Sequence, residues 1–263
     1  MKKQFAKFRG NRYEESTKLA FGVEPSKYHY RLRLARYIGV AQAIAKYVQE
    51  REASSQCRLD LLDIGVGLGR TLAYAEKEGV ADLINFTGVD VSKRRLSNIY
   101  EPEKWNLVMA NLEKGLPFGS NTFHICICEQ VLEHLDNPDT VLSEIDRVLC
   151  PGGLFILGVP IRPLGLVQLR RFFIFARKRI FRGCHSHKQA FDTRLLKTLV
   201  ARHENFIIKE VQGFRILSGG LLAFMENFHW WYRINQFLGR RFPGLCIEVQ
   251  LIIRKRGRSL PLA

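Results

Sequence analysis

Leu61-Leu62-Asp63-Ile64-Gly65-Val66-Gly67-Leu68-Gly69-Arg70 runs from an apolar strand into an acidic residue, three glycines at alternate positions and the start of a helical pattern. Glycine lets a backbone bend sharply and approach a ligand without Cβ interference, which a nucleotide-binding strand-to-helix turn requires. Dinucleotide turns space their glycines as Gly-x-Gly-x-x-Gly. Here the third glycine arrives one residue early and Arg70 takes its place, so the spacing favours a nucleoside over a dinucleotide. Taken alone, the pattern also suits a bare tight turn.

Outward from this turn, β-like apolar runs alternate with amphipathic stretches, the order of a doubly wound parallel sheet. Strands are predicted at Leu59 to Ile64, Ile84 to Val89, Asn106 to Ala110, Thr122 to Cys128, Gly153 to Val159, Phe206 to Val211 and Cys246 to Ile253. Helices are predicted over Arg70 to Lys77, Lys93 to Ile99, Asp139 to Leu149 and Thr193 to Arg202, with Pro151-Gly152-Gly153 as the stop after the third. The last strand has no room for a right-handed crossover beside its neighbour, so it is expected to run antiparallel. The fold class is α/β, a Rossmann-like doubly wound sheet of seven strands.

Three segments stand outside this alternation. Residues 1–56 contain a helical stretch, Arg31 to Glu50, in which Leu32, Ala35, Ile38, Ala41, Ile44, Ala45 and Val48 recur at helical spacing. It is expected to form an N-terminal cap or lid on a catalytic domain of residues 57–263. The other two are insertions at about 161–190 and 214–244, rich in aromatic residues and arginine.

Polar residues close the other strands. Gly88-Val89-Asp90 ends the second, and Asp90 lies 21 residues after Gly69, near the interval at which a carboxylate meets ribose hydroxyls. Asn111-Leu112 follows the third strand, with a side-chain amide and a backbone able to read an adenine edge. The fourth runs into Glu129-Gln130-Val131-Leu132-Glu133-His134. Four strand ends thus offer polar groups to one crevice at the carboxyl edge of the sheet.

On these residues the sequence resembles the class I S-adenosylmethionine-dependent methyltransferase family, in its small-molecule branch of methyltransferase type 11. The resemblance covers roughly residues 59–160, through Asp63 to Gly69, Gly88-Val89-Asp90, Asn111 to Phe118, Val131 to Leu135 and Arg147 to Gly153. It implies S-adenosylmethionine as cofactor and S-adenosylhomocysteine as product. Gly65, Val66, Gly67 and Gly69 would wrap the methionine moiety and ribose, with Asp63 holding the loop. Asp90, followed by Val91, would bind the ribose diol, Asn111 and Leu112 the adenine, and Gln130 would sit beside the sulfonium. The family often has Asp where Asn111 stands, and commonly Lys where Cys150 stands.

Methyl transfer from a sulfonium is an in-line displacement, so positioning in a dry site supplies most of the catalysis and a base is optional. For a hydroxyl acceptor the candidate bases are His134, His185 and His187. Glu133-His134 is similar to the Glu-x-x-Glu-His metal cluster of quinone and small-RNA end methyltransferases. Here the first position is Gln130, with Glu129 displaced by one residue, and a neutral amide is a poor metal ligand. No metal is expected.

The formal charge of +16 divides into +8 over residues 1–58, −7 over 59–160 and +15 over 161–263. The positive field therefore surrounds an acidic centre, which suits an anionic surface or substrate, although solvated charge without a partner gives the same pattern. The six cysteines lack CxxC pairing and no stretch approaches a membrane-spanning length, so a cytoplasmic protein is expected, possible contact with an anionic membrane included. In Leu164 to Phe181, Leu166, Leu169, Phe172, Phe173, Ala176 and Ile180 share one helical face and basic residues line the other. That pattern fits an interfacial anchor or a core helix with a solvated face. The second insertion adds Phe224, Phe228, Trp230, Trp231, Tyr232 and Phe237. The insertion after the fifth strand resembles the membrane-contacting region of ubiquinone-pathway O-methyltransferases, and the ending resembles methyltransferases of glycan and glycolipid biosynthesis, which together imply an amphiphilic or lipid-linked acceptor. RNA is the alternative partner for the basic flanks, and a non-catalytic scaffold on the same fold is a further alternative.

Overall fold

The seven predicted strands pair into one mixed sheet in the computed structural model, which describes residues 30–52, 57–161, 189–216, 218, 225 and 228–257. They are β1 (Leu59–Ile64), β2 (Ile84–Asp90), β3 (Trp105–Met109), β4 (Phe123–Glu129), β5 (Leu149–Pro160), β6 (Phe206–Phe214) and β7 (Glu248–Lys255). Their order is β3-β2-β1-β4-β5-β7-β6; β1 to β5 are parallel, and β7 runs antiparallel between β5 and β6. The order reverses between β1 and β4, and at such a switch point the loops leave in opposite directions and open a crevice.

The helices are α1 (Tyr30–Glu52), α2 (Arg70–Lys77), α3 (Lys93–Leu96), α4 (Pro138–Val148), α5 (Thr193–Ala201) and α6 (His229–Arg241). Strand residues alternate between two cores. Leu61, Ile125, Ile127, Leu154, Ile156 and Ile252 pack with Leu72 of α2 and with Val40, Ile44, Tyr47 and Val48 of α1. Leu62, Cys126, Cys128, Phe155, Leu157, Leu251 and Ile253 face the other way, onto Val141, Leu142 and Ile145 of α4 and Leu196 and Val200 of α5. Covering both faces explains why the strands read as nearly continuous apolar runs. The predicted cap helix thus shares one core with the sheet.

Most predicted limits shift by a few residues, and two of the shifts have a visible local cause. The third predicted helix ends at Val148, and Pro151-Gly152-Gly153 lies inside β5. Pairing passes from Phe123↔Leu149 to Ile125↔Leu154, so the intervening residues bulge, with Gly152 at φ 75°. Helix α3 stops at Leu96 because Asn98 folds back to donate to the Arg94 carbonyl, while Ile99 turns into the core beneath Gly69.

Candidate active site

The glycine turn is fastened to the neighbouring strand. The Gly65 and Val66 N–H groups both donate to the Val89 carbonyl, at 2.7 and 3.1 Å, and Gly69 N–H closes the turn on Val66 at 3.0 Å. Two glycines serve different ends. Gly65 has φ 74°, and a Cβ there would overlap Val131, so the loop passes against the end of β4 with no room to spare. Gly67 has φ 59°, and a Cβ there would meet nothing closer than 3.8 Å. The space beside Gly67 is therefore a cradle that a side chain would fill, as a nucleoside site requires. Val66 turns inward instead, over Gly88, where a Cβ would come within 3.0 Å of it.

Asp90 is buried beneath this cradle. Its carboxylate accepts from Gly67 N–H at 3.3 Å and Ser92 N–H at 2.8 Å, with the Arg95 guanidinium at 3.5 Å. Asp63, also buried, accepts from the Thr71 hydroxyl at 2.6 Å and so ties β1 to the first turn of α2. Burial, helped by Asp90, pushes its carboxyl up to about 6 against the lowering effect of Thr71. At the ends of β2 and β3, Val91 and Met109 are both exposed large apolar residues. Met109 was missed in the sequence because it reads as an ordinary strand residue. Asn111 caps a short turn by accepting from Glu113 N–H at 3.0 Å, which leaves its amide nitrogen for another partner. The Leu112 side chain is buried in the core, so what it can offer a ligand is backbone.

At the end of β4, Gln130 adopts φ 57°, a strained value for a residue with a side chain, while its N–H donates to the Gly158 carbonyl. Its side-chain nitrogen is buried without a hydrogen-bond partner. Two buried carboxylates flank it. Glu129 fills the space left by Gly158 and accepts from Gln250 at 2.9 Å, while Gln250 also donates to the Arg36 carbonyl of α1 at 2.9 Å. Burial, opposed by Arg36, raises the Glu129 carboxyl to about 8. Neither oxygen of Glu133 has a hydrogen-bond partner, and burial raises that carboxyl to about 7. The sequence placed these two residues at the crevice end of the fourth strand and gave them no role beyond a failed metal pattern. Adjacent polar and apolar runs do not reveal which face of a strand end turns inward.

Among the predicted bases, His134 points outward, its side chain 56% exposed and Nε2 4.0 Å from Glu133. His185 and His187 lie outside the described residues, as does most of the first insertion. Its two ends meet, however: Ile161 bridges to Phe191, and Gln189 N–H donates to the Glu133 carbonyl at 3.1 Å. The insertion is rooted at the end of β4. Among the described residues no group of three or more His, Cys, Asp or Glu side chains is arranged to hold a metal ion, and no helix is long and apolar enough to cross a membrane.

Helix α1 packs beside these residues through Tyr37 and Arg36. The Tyr37 hydroxyl accepts from Arg36 at 2.7 Å and from Arg70, just past the glycine turn, at 2.8 Å, and its ring stacks on Tyr74. Arg36 also lies 4.0 Å from Glu248 of β7, which Arg215 holds at 3.0 Å.

Residues 62–157 match a family described as a methyltransferase domain. The chain is 26% identical over 209 residues to an uncharacterized methyltransferase of Mycolicibacterium vanbaalenii, covering 76% of this chain and 78% of that one. It is 26% identical over 141 residues to a ubiquinone biosynthesis O-methyltransferase of Photobacterium profundum, covering 49% of this chain and 56% of the relative. In fold it is similar to a phosphoethanolamine N-methyltransferase of Haemonchus contortus solved with S-adenosylhomocysteine. That likeness has a TM-score of 0.52 at 16% identity and covers 82% of this chain and 52% of that one.

Proposed function

We propose that this chain is a class I S-adenosylmethionine-dependent methyltransferase and that it methylates a hydroxyl of an amphiphilic or lipid-linked small molecule at the cytoplasmic face of a membrane. The observation that carries the donor side is the open, left-handed Gly67 cradle, whose N–H is held by the buried Asp90 carboxylate. When bound, S-adenosylmethionine supplies an electrophilic methyl group on a sulfonium. The Gly65 to Gly69 backbone would hold the amino-acid portion and Asp90 the ribose diol. Val91 and Met109 would flank the adenine, and Asn111 and the Leu112 backbone would read its edge.

Gln130 would orient the acceptor at the reacting centre. Methylation of a hydroxyl would leave the acceptor oxygen with a proton to lose, so a proton acceptor beside Gln130 would be required. Glu133 is suited to that task, because a carboxyl raised to about 7 is poised between its two states near neutral pH. His185 and His187, on the insertion rooted beside Glu133, are alternative proton acceptors. The ubiquinone-pathway relative and the basic, aromatic insertion support an amphiphilic acceptor.

Titration calorimetry of the full chain with S-adenosylhomocysteine tests the donor side, and folded protein that binds none overturns it. For the acceptor, methyl-labelled S-adenosylmethionine is incubated with the chain and separated lipid, aqueous and RNA extracts. Label in the solvent-extractable lipid fraction is expected, and label in RNA overturns the acceptor assignment.

A further inference from the structure

Helix α6 meets the sheet backbone to backbone. A Cβ on Gly239 would overlap the Gly213 carbonyl of β6, and one on Gly213 would come within 2.8 Å of the Gly239 carbonyl. Such an approach fixes how the helix is rolled about its axis. Trp231, Asn235 and Gly239 occupy the inward side, where Asn235 donates to the Trp231 carbonyl at 3.1 Å.

At 100° per residue, the opposite arc carries Trp230, Ile234 and Phe237 together with Arg233, Arg240 and Arg241. All six are exposed, Phe237 to 70% and Trp230 to 50%. Phe242 and Leu245, both 46% exposed, extend the apolar surface beyond the helix. From His229 to Leu245 there is no Asp or Glu. Five large apolar side chains held in water beside three arginines and no carboxylate call for a partner that is both apolar and anionic.

We infer that the outward face of α6, with Phe242 and Leu245, is a docking surface for a bilayer containing anionic phospholipid. Trp230, Ile234, Phe237, Phe242 and Leu245 enter the headgroup–acyl boundary. Arg233, Arg240 and Arg241 remain at phosphate depth, where a guanidinium pairs with two oxygens. A second copy of the chain is a poor occupant, because a two-fold contact would set these arginines against their equivalents. RNA would use the arginines but leave Ile234 and Leu245 without a partner. The inference deepens the membrane placement proposed above and rests on it for the location of the acceptor, but not on the methyl-donor chemistry.

The test uses the full chain with vesicles of phosphatidylcholine alone and of phosphatidylcholine mixed with phosphatidylglycerol, read by co-sedimentation. The wild type is expected to bind the mixed vesicles and hardly the neutral ones. Replacing Arg233, Arg240 and Arg241 by Gln should weaken binding roughly a hundredfold, at about fivefold per arginine. Replacing Trp230, Ile234 and Phe237 by Gln should weaken it at least about tenfold. All six sites are exposed, so S-adenosylhomocysteine affinity should stay unchanged in both variants.

Brominated phosphatidylglycerol provides a second readout. It should quench the fluorescence of Trp230, whereas Trp105 and Trp231 are buried, and Trp230→Phe should abolish the quenching. Vesicle binding that neither triple variant alters, or unquenched Trp230, overturns the inference. So does dimerisation that the apolar variant abolishes, or tighter binding to RNA than to anionic vesicles. Loss of S-adenosylhomocysteine binding with vesicle binding intact would instead sink the methyltransferase assignment alone.

Discussion

The backbone N–H of Gly67 donates to the Asp90 carboxylate across 3.3 Å, so the turn after β1 is held by the residue that ends β2. One buried carboxylate thereby shapes the cradle, and in the proposed function it binds the ribose diol. Asp90→Ala should lower S-adenosylhomocysteine affinity about ten- to a hundredfold, the range of one charge-assisted hydrogen bond, with Asp90→Asn in between. Calorimetry checks this, and unchanged affinity in the alanine variant would remove Asp90 from the site.

Gly65 and Gly67 should respond differently to the same substitution. Gly65→Ala forces a left-handed alanine into Val131 and should cost about 2 kcal/mol of stability, a drop of several degrees in Tm. Gly67→Ala faces open space, so its stability cost should stay near 1 kcal/mol. Its methyl group would nevertheless occupy the cradle and weaken S-adenosylhomocysteine at least about tenfold. Thermal melts with and without S-adenosylhomocysteine separate the two effects.

Burial holds Glu129 near 8 and Glu133 near 7, whereas an unfolded glutamate titrates at about 4.3. Between those values the folded chain keeps protons that the unfolded chain has released. Their stabilising effect is therefore whole below about pH 4 and is lost as pH rises through 7 and 8. Tm should fall from about pH 5 to about pH 8, and Glu129→Gln should flatten that decline while raising Tm at the alkaline end. A decline as steep in the variant as in the wild type would assign the effect to other groups.

Gly39 of α1 lies against the ends of β6 and β7, where a Cβ would meet Gln250 Oε1 at 2.9 Å and the Phe214 ring at 3.0 Å. Gly39→Ala should lift the helix and cost about 1–3 kcal/mol. Tyr37→Phe removes the acceptor shared by Arg36 and Arg70 and should cost a similar amount. Hydrogen exchange across Tyr30–Glu52 should accelerate in both variants, and protection equal to wild type would mean that α1 is held by other contacts.

Much of this protein was legible in one dimension. The α2 limits and the β1 limits were read directly, because a period-3.6 pattern begins where the third glycine ends the turn. The approach of Asp90 to the glycine turn followed from its interval to Gly69. The burial of Glu129 at the strand end was not legible, because its surroundings come from Gln250 and Arg36, 121 and 93 positions away in the chain. Met109 was missed for a similar reason, since its exposure depends on its place at a strand end. The helix before Pro151-Gly152-Gly153 does end at Val148, and what the sequence left unread is that the same residues form a bulge inside β5.

By itself the sequence determined the parallel sheet, its antiparallel last strand and the glycine turn after β1, because these depend on local backbone geometry and on periodicities of two and 3.6. Only the tertiary structure decided which polar groups lie buried beside that turn and which aromatic residues face outward. Trp230 and Trp231 are neighbours in sequence, yet one is exposed and the other buried. The close contact between Gly239 and Gly213 fixes the roll of α6, and no local pattern encodes that contact.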